Sequence, residues 1–202
     1  MIMRALGLFT LLATSTLIQV PKAHAKESSS TLVVVSGGLA IGGQVRGENS
    51  SDDLDSGFGL GLTFASALHP NFNLGAHLGL LSWLSDGPDD RDRNSLFDLS
   101  LRPEGVFPIN DKVQVFVAGM LGLSYSVIGE NDISLGEIEP ALGSHYGFAL
   151  GGRFDLGEGK GLQIELALQT YEAEHEVDTF IGDIQIDSEL EVAMLNLGFV
   201  FH

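Results

Sequence analysis

The sequence predicts an all-β fold: an eight-stranded antiparallel up-and-down transmembrane barrel. From Thr31 onward, apolar residues alternate at period two with small or polar ones in eight stretches. Such stretches are long enough for a tilted strand, roughly 9–11 residues, to cross a bilayer. Tight turns and long acidic connections alternate between them. The face opposite the Leu, Phe and Val is Gly, Ala, Ser and Gln, whereas a soluble sheet shows water a face rich in Lys, Glu and Thr. Lipid outside and a packed lumen inside reconcile the two faces.

Composition narrows the class before any strand is drawn. The 202 residues include 10 Lys or Arg and 27 Asp or Glu, a net charge of −17, which argues against a nucleic-acid partner. Cysteine is absent, so disulfides, thiolate metal sites and cysteine nucleophiles are excluded. The 26 glycines follow no triplet period and sit among ample Leu, Val, Ile and Phe, unlike collagen or a disordered chain.

Residues 1–25 read as a secretory signal peptide: Arg4, the apolar run Ala5 to Val20, then Pro21, Lys22 and Ala23-His24-Ala25. The run falls short of the roughly 20 residues of a spanning helix, and the small residues mark a cleavage site near Ala25. Loss of Arg4 and Lys22 leaves 8 basic and 27 acidic residues, a net of −19. The barrel is expected over 26–202.

The strands follow in order. The first, Thr31 to Val45, is Gly-rich and its phase is ambiguous. The second sets Phe58, Leu60, Leu62 and Phe64 against glycines, Thr63 and Ala65; the third sets Phe72, Leu74, Ala76, Leu78 and Leu80 against Asn73, Gly75, His77 and Gly79. The fourth sets Phe97, Leu99, Leu101 and Pro103 against Asp98, Ser100, Arg102 and Glu104. In the fifth, Val113, Val115, Val117, Leu121, Leu123 and Tyr125 oppose Gln114, Ala118, Gly122, Ser124 and Ser126, with Phe116 and Met120 as exceptions. The sixth sets Tyr146, Phe148, Leu150, Phe154 and Leu156 against His145, Gly147, Ala149, Gly151, Arg153 and Asp155. The seventh opposes Leu162, Ile164, Leu166 and Leu168 to Gln163, Glu165, Ala167 and Gln169; the last opposes Ala193, Leu195, Leu197, Phe199 and Phe201 to Met194, Asn196, Gly198 and Val200.

Turn chemistry sets the sidedness. His69-Pro70-Asn71, Pro108 to Asp111 and Gly157 to Gly161 are tight-turn sequences. Arg46–Ser56, Asp86–Ser95, Gly129–Ser144 and Glu172 to about Leu190 are long, and they hold 19 of the 27 acids. Short turns on the periplasmic side and long loops outside are the outer-membrane arrangement. The fourth loop mixes Phe180, Ile181, Ile184 and Ile186 with its acids, as a hairpin extending the strands beyond the membrane would.

Together these features resemble the small OmpA/OmpX-type outer-membrane barrels, a group that includes opacity-like and Ail-like surface proteins. The last strand, Asn196-Leu197-Gly198-Phe199-Val200-Phe201-His202, has the Gly and aromatics of that group, although His202 follows the final aromatic. The resemblance implies residence in the outer membrane of a Gram-negative bacterium.

Charges on the lumen face must pair, because a buried lone charge is costly. Centring the turn on Gly159 makes Arg153 and Glu165 direct neighbours and sets Asp155 opposite Gln163; Asp98, Arg102 and Glu104 join them as structural lumen ion pairs. Barrels of this kind include lipid A-modifying enzymes, which need a nucleophilic serine with a histidine and an acid. Ser144 and His145, with Glu137 or Glu139, come nearest, but adjacent strand residues point to opposite faces, and His77 with Ser82 fails by the same parity. Neither Asp52, Asp53 and Asp55 nor Asp86, Asp89, Asp90 and Asp92 has the ligand order of an EF-hand. The expectation is a monomeric, cofactor-free, non-enzymatic barrel that contacts outer-membrane lipids and lipopolysaccharide and has either a structural role or a surface-binding one, the latter through its long acidic loops toward an extracellular protein ligand. A lipid A-modifying hydrolase and a narrow channel are the alternatives.

Overall fold

The computed structural model describes residues 31–47, 51–54, 56–86, 91–127, 136–179 and 182–202. The signal segment, Asp55, Asp89, Asp90, Phe180 and Ile181 lie outside them. Eight long strands form a closed antiparallel ring: β1 (Thr31–Arg46), β3 (Ser56–His69), β4 (Phe72–Asp86), β5 (Arg91–Asn110), β6 (Val113–Val127), β8 (Ala141–Gly157), β9 (Lys160–Thr179) and β10 (Gly182–Phe201). Two three-residue strands are added at the loop end, β2 (Ser51–Asp53) against β1 and β7 (Gly136–Ile138) against β9. Each long strand pairs with its sequence neighbour, and β1 pairs with β10 to close the ring.

The alternation sorts the two faces as the composition requires. Leu60, Leu99, Leu121 and Leu197 are 56%, 54%, 67% and 61% exposed, while the opposite face is buried. A soluble fold would bury those side chains, so the exposed apolar belt is the surface that meets lipid. Inside, Leu54, Leu81, Trp83, Leu96, Val192 and Met194 belong to one apolar cluster that also takes in Phe116, Ala149 and Tyr171. Phe116 and Met120, out of pattern by residue type, are in pattern by position: both are buried and share the lumen-facing parity of Ala118.

The ambiguous phase of β1 has a local cause. Its register against β10 shifts between Ala40 and Gly42, leaving Ile41 as an extra residue. Leu32 and Val34 are buried before this bulge, whereas Gly43 and Val45 stand opposite Val192 and Leu190 after it, so the inward set changes from even to odd numbers.

Three tight connections close one end, at Pro70-Asn71, Asp111-Lys112 and Glu158-Gly159. At the other end the long connections are partly strand. The β9–β10 ladder runs unbroken from Lys160↔Phe201 to Thr179↔Gly182, so the segment from Glu172 to Leu190 is a hairpin rather than a loop. The β4–β5 ladder likewise reaches Asp86↔Arg91.

Candidate functional site

The lumen is crossed by a network that alternation alone assembles. On β5, Asp98, Ser100, Arg102 and Glu104 are spaced by two and all point inward. Arg153 on β8 and Glu165 on β9 reach Glu104 and Arg102 from the other wall, with Gln163 on β9 and Asn196 on β10 bonded to them in turn. Arg153 clamps Glu104 through both terminal nitrogens, at 2.5 and 2.6 Å, and its Nε donates to Gln163 Oε1 at 2.8 Å. Arg102 binds Glu165 through both terminal nitrogens as well, one of them in the ion pair between Nη2 and Oε2. Asn73 donates to Glu104 at 2.9 Å, and Gln163 donates to Glu165 at 3.0 Å. Two cations and two carboxylates thus alternate in space, linked by the 3.8 Å approach of Arg102 Nε to Glu104. Forked pairs of this kind give strong charge-assisted bonds and satisfy the charges that burial would otherwise penalise. The Phe116 ring lies under both guanidiniums, 4.3 Å from Arg153 and 5.7 Å from Arg102.

The pairing differs from the one expected. Arg153 stands opposite Gln163 and Glu165 opposite Gly151, because a bulge between Asp155 and Gly157 and a two-residue turn at Glu158-Gly159 move the register by two. Gly157, Glu158 and Gly159 have φ of 88°, 55° and 72°, the left-handed backbone that so tight a turn requires. Arg153 therefore takes Glu104 from across the lumen, and Glu165 takes Arg102. Asp155 stands opposite Gly161 rather than Gln163, is exposed, and accepts the Gly157 N–H at 2.7 Å; it caps the turn instead of joining the network.

A second polar layer lies toward the loop end. His145 is fully buried and stacks on Tyr171 with ring centroids 4.4 Å apart. Asp98 Oδ1 is 3.4 Å from His145 Nδ1, and the Tyr171 hydroxyl lies 3.5 Å from Asp98 and donates to Gln169 at 2.7 Å. His77 Nδ1 and Thr63 Oγ1 share a bond of 2.8 Å. Tyr171, Gln169 and Asn196 lie outside the expected set of lumen ion pairs, yet all three share the inward parity of their strands, and that parity is the signal for them in the sequence.

The serine–histidine–acid combinations do not converge. The Ser144 hydroxyl donates outward to Glu172 at 3.3 Å, while His145 is sealed inside. Glu139 meets His175 through its backbone carbonyl, at 3.1 Å, and the Glu137 side chain lies outside the described residues. Ser82 donates to the Asn94 carbonyl rather than to His77. Among the described residues, no three of His, Asp or Glu gather as metal ligands.

No protein-family model matches the chain, and no curated protein matches it. Solved structures do. Neisserial surface protein A is 10% identical, with 84% of this chain and 96% of that one covered at a TM-score of 0.56. The outer membrane protein OprG from Pseudomonas aeruginosa is 13% identical, with 86% and 97% covered at 0.54. At such identities the likeness concerns architecture. The closed ring, the apolar belt and these matches together give the chain the fold of the small outer-membrane β-barrels, eight antiparallel strands wound up and down.

Proposed function

We propose that the protein is exported, cleaved near Ala25 and seated as a monomer in the outer membrane of a Gram-negative bacterium, where it acts by binding at the cell exterior. The observation that carries this reading is the division of the molecule's charge. In the lumen, cations and carboxylates answer one another around Phe116. At the loop end, the hairpin of β9 and β10 sets Glu172 opposite Glu189 and Glu174 opposite Asp187; Arg46 reaches Glu189, while among the described residues no cation pairs with the outward-facing Glu172, Glu174 or Asp187. A packed lumen supports a structural role for Arg102, Glu104, Arg153 and Glu165 over a conduit, and the outward Ser144 beside the inward His145 supports binding over turnover.

The test uses the mature protein in lipid vesicles. Retention on a polylysine surface should fall in E172Q/E174Q/D187N/E189Q and should weaken as salt rises. Planar bilayers containing the protein should show no discrete conductance, and lipid A from cells with and without the protein should have the same acyl pattern by mass spectrometry. Undiminished retention of the neutralised variant, salt-independent retention of the unaltered protein, or a His145-dependent change in lipid A would overturn the reading.

A further inference from the structure

The outer wall formed by β8, β9, β10 and β1 differs from the rest of the belt. One row across these strands reads Phe148, Leu168, Ala193, Gly42. Leu, Phe and Val cover most of the lipid-facing surface; here Gly42, Ala193 and, one row further out, Thr170 leave the wall shallow. The result is a depression of about 650 Å³ flanked by Phe148 and Leu168. Its outer limit is the row holding Tyr146, Thr170 and Glu191.

The next rows outward bound a second depression, of about 550 Å³. They hold the opposed acids Glu172 and Glu189, then Glu174 and Asp187. Like charges directly opposite on a ladder repel. Arg46 reaches Glu191 at 3.0 Å and Glu189 at 3.8 Å. Among the described residues no cation lies within ion-pair distance of Glu172, Glu174 or Asp187; Glu172 receives only the hydroxyls of Ser144 and Tyr146. An apolar depression in the lipid belt is thus followed along one wall by a polar one short of positive charge.

We propose that this wall binds an amphiphile with a positively charged head, its chain along Ala193 and Gly42 and its head among Glu172, Glu174 and Asp187. Charge complementarity selects the occupant. An anionic head would meet these carboxylates with Arg46 already committed, and a second copy of the chain would bring the same acids against themselves. The head half rests on the surface-binding reading above; the chain half is independent of it.

The experiment places the mature protein in phosphatidylcholine nanodiscs and follows its amide signals by NMR. The probe is a twelve-carbon trimethylammonium amphiphile bearing a nitroxide on its chain, with the sulfate of the same chain as comparator. The ammonium probe should broaden Ala193 and Gly42 saturably. E172Q/E174Q/D187N should weaken its apparent affinity at least tenfold, and added salt should weaken it in the unaltered protein. A193F should abolish the broadening at Gly42, while unchanged Phe116 and Arg153 signals confirm that the barrel is folded. Equal broadening by the sulfate, broadening spread evenly around the belt, or an unaffected A193F overturns the proposal. If polylysine still binds the acidic rows while no local broadening is seen, the amphiphile site falls and the surface-binding reading stands.

Discussion

The trans-lumen pairing can be tested by removing Arg153. Its side chain is 6% exposed and that of Glu104 1%, so neither charge has water to fall back on. Arg153→Met deletes two charge-assisted bonds to Glu104 and leaves that carboxylate with Asn73 at 2.9 Å and Arg102 at 3.8 Å. Breaking a buried pair from one side costs roughly 3–5 kcal/mol, and loss of the cation over Phe116 adds about 1 kcal/mol. Glu104→Met should cost about 3 kcal/mol, since Arg153 keeps Gln163 at 2.8 Å. Replacing both residues by Met removes the orphan, so the double variant should be no worse than the worse single one, a coupling of roughly 3 kcal/mol. The parallel cycle on Arg153 and Glu165 should give under about 1 kcal/mol, since Glu165 is held by Arg102. Urea unfolding in lipid vesicles, followed by fluorescence of the single Trp83 inside the lumen, supplies the free energies. Additive losses at Arg153 and Glu104, or stronger coupling between Arg153 and Glu165, would refute the pairing.

Three further outcomes follow from the same geometry. Leu62→Arg, at the middle of β3 in the row of Val35, Leu78 and Leu99, should cost about 2–4 kcal/mol in the same urea assay, and Gln185→Arg on the exposed hairpin close to none. At Gly151 a Cβ would strike the Phe116 ring and the Ile164 carbonyl, so Gly151→Ala should lose roughly 1–3 kcal/mol by overpacking; full stability would show that the ring can move aside. Ser144→Ala should leave lumen amide shifts near His145 unchanged while altering those near Glu172, because the two neighbours serve opposite faces.

Period-two alternation was enough to read strand number, faces and tight turns, because each depends on neighbours two or four residues apart. It also placed Asp98, Arg102, Glu104, Arg153 and Glu165 in the lumen, where the structure has them. What it could not supply was who meets whom. The Arg153–Glu104 contact spans the lumen between residues 49 apart in sequence, and only the stagger of the whole ring decides it. One open question and one misplaced register have local causes: the extra residue Ile41 leaves the phase of β1 ambiguous, and the left-handed run Gly157 to Gly159 shifts the β8–β9 register and puts Asp155 in water. Phe116 and Met120 are exceptions by residue type alone; their positions are inward and both are buried.

The seam between β1 and β10 bears on how the molecule assembles. It joins Val33 to Phe201 and continues to Arg46 and Glu189. Every other barrel-wall ladder links neighbours along the chain and can form as a local hairpin; this one waits until both ends have been delivered. Bringing ends so far apart together costs about 5 kcal/mol in chain entropy, a figure that rises only slowly with length. Leaving the seam open in hydrocarbon costs several kcal/mol for each unpaired peptide group along two whole strands. Closure of this seam is therefore the costliest pairing in chain entropy and the one that removes the last open strand edges from hydrocarbon.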